Sequence, residues 1–495
     1  KKYIQKQIDD PNSIMLGIFT HDNVHIGNIK LEPIDWQKGY TKFGILIGNK
    51  KYWNQGIGTE ATKLVVAYAL DKLNLNEIEL GVICGNNAAI RVYEKVGFKT
   101  VEVRKVAYKH SGVLRDAVIM TFKKDSQKSN HQHSTGFEIV KLTLEKYSDW
   151  DNFCVSSDDA WFWHTSSWLD YTLNFKPELK SQSYSFMVVA NGQIMAICPL
   201  ILEENKGILE FSFGQLPIPV PAFSNDLSQK TKYKVMKLVY SQIDDLAKEV
   251  GVKRASFRFS VLNKSFIESA DCQYNYLSNF GYLDTSIGTQ IIDLSLSIEA
   301  IRGAIRHGHN SDINRAEKIL TADIFDSGNI TAEIFENYAK MHISASPNRI
   351  NRSHILFEIM YNSIKNKNAV LISARKDGQY FGFSYFYLYK DNAYYGSSCN
   401  RGDIGNVGVA HFIQWQVIKW LKAHKFKFYE LGWQNYCNSL SYFPSQKEFN
   451  IAGFKRGFGG STVPLFRGEK YYDQDYFLNI YNDRIKRYGS GLCLL

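Results

Sequence analysis

The chain contains no apolar run approaching the roughly 18 residues that a membrane-spanning helix requires. An integral membrane segment is therefore not expected. A secretory leader pattern is missing from the sequence as well. Cysteine is sparse and unpatterned: Cys84, Cys154, Cys198, Cys272, Cys399, Cys437 and Cys493 are odd in number and never spaced as C-x-x-C. That argues against a disulfide framework and a cysteine zinc site. No metal is expected, and a reducing cytoplasm is the default setting. Two phosphate-binding signatures are also incomplete. Gln55-Gly56-Ile57-Gly58 stands before an amphipathic run, yet no Gly-Lys-Ser/Thr follows, which excludes a P-loop. Ala61 occupies the place of the third glycine of a dinucleotide fingerprint.

What is present is enough apolar matter for several cores. The 495 residues are 44% hydrophobic and 14% aromatic, which suits two to four folded domains. Lys and Arg number 59 against 49 Asp and Glu, a net charge of +10. This mild excess fits an anionic ligand such as CoA, a nucleotide sugar or tRNA, and equally an ordinary basic surface. Residues 123–136 (KKDSQKSNHQHSTG) are polar and free of aliphatic side chains. They read as a linker, with His131 and His133 solvated rather than metal-bound. The expected domains are 1–124, a linker at 125–136, a first lobe at 137–300 and a second at 301–495.

The front domain has a legible order. Residues 13–20 and 24–31 predict a hairpin turning at His21-Asp22-Asn23, 40–47 a third strand, and 59–73 a helix with Ala61, Leu64, Val65 and Tyr68 on one face. A strand at 77–84 follows. Asn86 or Asn87 then caps a helix that Gly97 ends, and 98–106 and 116–122 close the pattern. Residues 1–8 read as the end of an earlier helix. A strand, a Gly-rich turn and a helix start place unpartnered N–H groups at the positive end of the helix dipole, which suits a phosphorylated ligand.

With Asn86-x-x-Ala89-Ile90-x-x-Tyr93-Glu94-Lys95-Val96-Gly97-Phe98 downstream, residues 13–124 resemble the GNAT superfamily of acyl-CoA N-acyltransferases. Within it they look most like the branch of ribosomal-protein and nucleotide-sugar N-acetyltransferases. The resemblance implies a mixed sheet whose central parallel strands splay, with acetyl-CoA lying in the splay. Leu46 and Ile47 would offer a strand edge to the pantetheine. Gln55, Gly56, Ile57, Gly58 and Thr59 would hold the pyrophosphate. Asn86 would bond the pantetheine, and the Tyr93 hydroxyl would stand near the sulfur. The general base stays open among Asp116, His110 and Glu79; Asp116 joins Tyr93 in the expected catalytic set. Trp53 stands where the family often has Arg or Gln, and Lys42-Phe43 where an acidic residue is frequent. The family fold has a further strand and helices before the position of Ser13, so the wall of the acceptor site is expected before Lys1.

Later strands and helices repeat the theme. An aromatic helix is expected at 161–175 and a hairpin of 185–190 with 193–202 around Asn191-Gly192. Helices are expected at 232–250, 332–341, 354–366 and 409–424, with strands at 254–259, 370–375, 380–389, 393–398 and 428–431. Phe454-Lys455-Arg456-Gly457-Phe458-Gly459-Gly460, preceded by Trp163-His164-Thr165-Ser166-Ser167-Trp168, Pro199-Leu200 and residues 305–318, resembles the Fem-type transferases, built from two GNAT-like lobes. The resemblance covers roughly 137–470 and implies that Lys455 stabilises negative charge at a transfer site. Arg302, Arg306, Arg315 and Lys318 read as a basic stripe on one helix, suited to phosphate or tRNA. Asn310 replaces an Arg that many relatives carry. The fold class expected is α/β (α+β), with three GNAT-like mixed-sheet lobes. The function expected is acetyl transfer from acetyl-CoA to a small-molecule primary amine such as an amino-sugar nucleotide, joined to acyl or aminoacyl transfer in cell-surface glycan or cell-wall synthesis. An aminoacyl-tRNA-dependent wall transferase and a non-catalytic scaffold are the alternatives. No DNA partner is expected.

Overall fold

The computed structural model describes residues 10–20, 22, 24–53, 55–110, 113–123, 136–267, 274–345, 353–402, 404–405, 407–434, 440–441 and 443–490; for 71, 106–110 and 113–115 it describes the backbone. The chain divides into two compact units, Lys1–His131 and Gln132–Leu495. The helix expected at 1–8, His21 and Asn23 of the first turn, and the linker histidines 131 and 133 lie outside the described residues.

In the first unit, β1 (Ile14–Phe19), β2 (His25–Asp35), β3 (Tyr40–Ile47), β4 (Glu77–Ile83), β5 (Lys99–His110) and β6 (Val113–Lys123) form one sheet in the order β1-β2-β3-β4-β6-β5. Two helices accompany it, α1 (Ile57–Asp71) and α2 (Asn87–Val96). The strands bury one set of alternating residues, Ile29 and Leu31 on β2 and Ile78, Leu80 and Val82 on β4. Val65, Val66 and Ala69 of α1 and Tyr93 of α2 cover them. Leu64 and Tyr68, expected on the buried face of α1, stay exposed. The buried stripe runs one position over, because Val66 and Ala69 meet the sheet instead.

Among the described residues of the first unit, only β3 and β4 run parallel, joined through α1, and their ladder is short. It pairs Tyr40 with Glu77, Thr41 with Ile78 and Lys42 with Glu79, and stops. Beyond that point β3 continues beside β2 as far as the Gly27–Ile47 pair, while β4 continues beside β6 as far as Ile83–Ala117. The two central strands therefore part company at Phe43 and Leu80, each held by its outer neighbour.

The second unit begins with β7 (Glu138–Lys141), α3 (Tyr147–Ser156) and α4 (Ser166–Leu173). The expected helix over 161–175 is broken. Phe162–His164 is a single 3-10 turn, and Thr165 turns extended so that its hydroxyl side chain caps α4 by accepting from Trp168 N–H. The break lets Trp161, Phe162 and Trp163 all point inward, each 2% exposed or less. Burial of one such ring contributes about 1.5–3 kcal/mol. Inside this turn His164 is fully buried: Nε2 donates to Val220 O at 2.9 Å and Nδ1 accepts from Trp161 N–H at 3.2 Å. Burial lowers its pKa to about 4, so it is neutral.

Next come β8 (Gln182–Ser183), β9 (Phe186–Ala190), β10 (Gln193–Cys198), β11 (Ile201–Asn205), β12 (Ile208–Phe211), β13 (Ile218–Pro219), β14 (Ala222–Phe223), α5 (Gln229–Val250), β15 (Arg254–Arg258) and β16 (Leu283–Asp284). The single strand expected over 193–202 is two. Pro199, which has no N–H to donate, separates β10 from β11, and the chain changes sheet there. One sheet runs β14-β10-β9-β7, and the other runs through β15, β12, β11 and β8.

The remaining elements are β17 (Ile287–Asp293), α6 (Ile298–Ala304), α7 (His307–Glu317), β18 (Thr321–Phe325), α8 (Ala332–Ser344), α9 (His354–Lys365), β19 (Ala369–Lys376), β20 (Gln379–Tyr389), β21 (Asn392–Asn400), α10 (Val409–Ala423), β22 (Phe428–Gln434), α11 (Gln446–Arg456), β23 (Ser461–Leu465), β24 (Arg467–Tyr471) and α12 (Gln474–Gly489). Their sheet runs β18-β19-β20-β21-β22-β17-β23. The chain then returns: β24 pairs with β15, in the sheet that also holds β12 and β11. A shared core sits at this interlock, where Trp161, Trp163 and Trp168 pack against Tyr385 and Tyr387 of β20.

Candidate functional site

The first unit presents a backbone site. Gly56 caps α1 with φ +82°, the left-handed region, and a Cβ there would stand in open space. Glycine is thus required by the dihedral angle, not by crowding. Thr59 and Glu60 N–H both reach Gly56 O at 3.0 Å, closing the first turn. The N–H groups of Ile57 and Gly58 precede any possible helical partner and lie at the positive end of a 15-residue helix. Gln55 Nε2 donates to Lys51 O at 2.7 Å, which fixes the approach to the turn. Trp53, standing where Arg or Gln is frequent, braces the strand end instead, because its indole N–H donates to Ile47 O at 2.9 Å. The carbonyl of Ile47 is thereby occupied, so of the two residues expected to face a pantetheine, Leu46 is the freer. Its side chain is 68% exposed.

Asn86 sits at the other lip. Its Oδ1 accepts from Ala89 N–H at 3.3 Å and caps α2, which leaves its amide N–H₂ available. Tyr93 lies at the point of divergence of the two strands. Its ring meets Phe43, the first residue past the β3–β4 ladder, edge-on at 6.2 Å, and Phe98 at 6.0 Å. Burial raises its pKa, so the hydroxyl stays protonated and can donate. No hydrogen-bond partner holds that hydroxyl among the described residues.

The candidate bases separate. Glu79 is engaged by Lys42 at 3.8 Å and Arg104 at 4.0 Å; burial, and then the charge of Glu79, push Tyr40 up to about 12. The side chain of His110 lies outside the described residues. Asp116 stands beside the end of β4, its backbone carbonyl accepting from Cys84 N–H at 2.9 Å. Gly56, Asn86 and Asp116 thus all lie beyond the C-terminal ends of β3 and β4, where parallel strands leave room for a ligand. A diverging pair of edges and an anion turn fit an extended molecule that combines amide groups with a pyrophosphate. Among the described residues, no group of three His, Cys, Asp or Glu is placed to hold a metal ion.

The second unit presents a site of buried charge. Lys455 comes from the last turn of α11, Glu430 and Gly432 from β22, Tyr394 from β21 and Arg258 from β15. Burial, offset in part by Glu430, lowers Lys455 to about 8. Burial raises Glu430, whose carboxylate accepts from Thr289 Oγ1 at 2.6 Å. Gly432 has φ +101°, and a Cβ there would fall 2.8 Å from Lys455 Nζ and 3.4 Å from Tyr394 Oη. The missing side chain is therefore the space that the lysine and the tyrosine share. Of the expected catalytic residues, Tyr93 and Asp116 belong to one unit and Lys455 to the other. Arg258, Tyr394 and Glu430 were not legible as site residues, because each is unremarkable until strand pairing brings them together.

The basic stripe does not form. Residues 298–317 are two helices, α6 and α7, parted at Ile305, which turns extended and is buried. Arg302 stacks over Trp415 at 4.5 Å and bonds Asn314 Oδ1 at 2.6 Å; Arg306 bonds His309 Nδ1 at 3.1 Å; Arg315 faces Asp312 at 3.4 Å. Each arginine has its own local partner. Asn310 uses its amide to bond Ile305 O at 3.0 Å across the break.

The family model of the acetyltransferase (GNAT) domain matches residues 1–99. The chain is 34% identical over 117 residues to the probable N-acetyltransferase YjcK of Bacillus subtilis (strain 168), covering 23% of this chain and 65% of that protein. It is 27% identical over 124 residues to the spermidine N(1)-acetyltransferase of Escherichia coli (strain K12), covering 25% and 66%. The chain thus spans less than two thirds of the curated relatives it matches. A crystal structure of FemX is 11% identical and covers 70% of this chain and all of that one, with a TM-score of 0.51. No helix among the described residues is long and apolar enough to cross a membrane. Residues 1–99 of the chain match the GNAT acetyltransferase domain, and the second unit has a mixed α/β fold like that of FemX.

Proposed function

We propose that the first unit transfers an acetyl group from acetyl-CoA to a primary amine. The observation that carries this is the early end of the β3–β4 ladder at Lys42–Glu79, opening onto the left-handed turn at Gly56. The diverging edges would satisfy the amides of the pantetheine, and the N–H groups of Ile57 and Gly58 would face the pyrophosphate. Acetyl-CoA supplies an activated thioester as donor. The amine attacks without a protein nucleophile, Tyr93 donates its O–H to the departing sulfur, and Asp116 takes the proton from the amine. Relatives named for spermidine acetylation support a small polyamine or other amine as acceptor; an amino-sugar nucleotide is the narrower reading.

The second unit is proposed as an acyl or aminoacyl transferase acting in the cytoplasm on a cell-surface glycan or wall precursor. Lys455, held inside beside Tyr394 at Gly432, supports it as a cation awaiting an oxyanion. The test is mass spectrometry of acetyl transfer from acetyl-CoA by the full chain to a panel of spermidine, amino-sugar nucleotides, peptides and wall precursors. A mass gain of one acetyl group on at least one amine is expected. No acetylated product from any member would sink the proposal for the first unit.

A further inference from the structure

Within the second unit, a cavity of about 280 Å³ lies between the start of α5 and the turn that follows β15. Rings wall it: Phe223 of β14, Phe259, Phe266 and Tyr276. Four polar side chains of the wall form two pairs. Asp159 and Lys232 make a salt bridge at 2.8 Å, so these two charges offset each other. Ser260 and Asn263 share one tight turn, in which Asn263 N–H donates to Ser260 O at 3.3 Å. They are 2% and 6% exposed, and both line the cavity. Among the described residues, neither Ser260 Oγ nor Asn263 Oδ1 has a hydrogen-bond partner. The Asn263 amide cannot simply turn over. Its Nδ2 donates to Asp159 O, and a flipped amide would set oxygen against oxygen. An acceptor is therefore the end left for the cavity. Buried polar atoms are costly unless something pairs them. What pairs Asn263 here has to bring an N–H or O–H donor, and the Ser260 hydroxyl can donate in return.

We infer that this cavity binds a small neutral ring carrying a carboxamide, its ring among the aromatic walls, its N–H on Asn263 Oδ1 and its C=O on Ser260 Oγ. A carboxamide sets a donor beside an acceptor on one plane, the complement of an acceptor and a donor on one turn. Neutrality follows from the Asp159–Lys232 pair: an anion would compete with Asp159 for the lysine, and a cation with Lys232 for the carboxylate. The volume agrees, since a dry cavity of about 150 Å³ accepts benzene and this one has room for a ring with its amide. The inference concerns binding and stands whether or not the second unit performs transfer.

Calorimetric titration of the full chain with benzamide, acetophenone, benzoate and acetamide tests it. Acetophenone keeps the shape and carbonyl of benzamide without the N–H, benzoate adds a charge, and acetamide lacks the ring. Benzamide is expected to bind more tightly than each of the other three by about fivefold or more, because a site built to bond an N–H rejects an analogue without one. A smaller margin over any of them would overturn the inference, and so would no binding of benzamide up to its solubility limit. Ser260→Ala has no side-chain hydrogen bond within the protein to lose. It should weaken benzamide by about threefold or more with an unchanged near-ultraviolet circular dichroism spectrum; a smaller loss overturns the inference. Should that variant not fold, Met236→Trp decides, because Met236 lines the cavity from α5 and is only half-buried, so the larger ring takes up space meant for the ligand. It should weaken benzamide by about fivefold or more, and a smaller loss would place the amide elsewhere and end the proposal.

Discussion

The sites proposed in the two units are built from different materials. The first uses main chain: two strands that stop pairing, a glycine at positive φ and the bare N–H groups of a helix start. The second uses side chains: a buried glutamate with a half-buried lysine and arginine, assembled on three strands and a helix around one missing Cβ. Main-chain donors have no protonation state to lose and little freedom to collapse. Buried charges carry a desolvation cost and titrate at shifted pH. The first site should therefore be broken by changes of backbone geometry or local charge, and the second by changes of volume and pH.

Gly432→Val gives the sharpest break. A branched side chain there meets both the positive φ and the Lys455 ammonium, and a loss of about 4 kcal/mol in unfolding free energy is expected. Urea denaturation checks it, with acetyl-CoA binding by the first unit unchanged. If both units lost function together, the division of labour would be wrong.

The next effect is in pH. The folded value of Lys455, about 8, lies below its ordinary 10.5, so the unfolded chain binds that proton more tightly. Below pH 8 both states are protonated and the penalty is complete. Between 8 and 10.5 only the unfolded state keeps the proton, so stability rises across this window by about 3 kcal/mol relative to Lys455→Met. Parallel stability–pH curves for wild type and variant would show that the lysine is not desolvated.

Gly56→Asp brings a carboxylate and a strained dihedral to the anion turn. Acetyl-CoA affinity, measured by calorimetry, should fall about 100-fold, the loss of hydrogen bonds to a charged group. Retained affinity would remove the turn from the donor site. Tyr93→Phe is the mildest: kcat for acetyl transfer should fall about tenfold with KM unchanged, since a thiolate leaves with little help. A changed KM with the same kcat would make Tyr93 a wall rather than a donor.

Legibility followed the same division. The anion turn, Asn86 and Tyr93 lie within forty residues of one another, and local rules of capping and periodicity place them. The errors were also local: a helix drawn through Thr165, a strand drawn through Pro199 and a single basic helix drawn through Ile305. At Thr165 and Ile305 burial of neighbouring apolar side chains favoured a break that periodicity does not show; at Pro199 the missing N–H made it. Lys455 was singled out by its motif, but its surroundings were not.

The sequence by itself determined a strand, glycine turn and helix in the first unit, because those depend on φ preferences and on neighbours a few residues away. Tertiary structure alone decided the second site. Arg258 and Arg467 are 209 positions apart and face each other only because β24 returns to the sheet that holds β15. Glu430 is an ordinary carboxylate until the strands around it remove water. A pKa, a like-charge pair and the worth of an absent Cβ are properties of distance and dielectric, and those exist only once the chain has closed on itself.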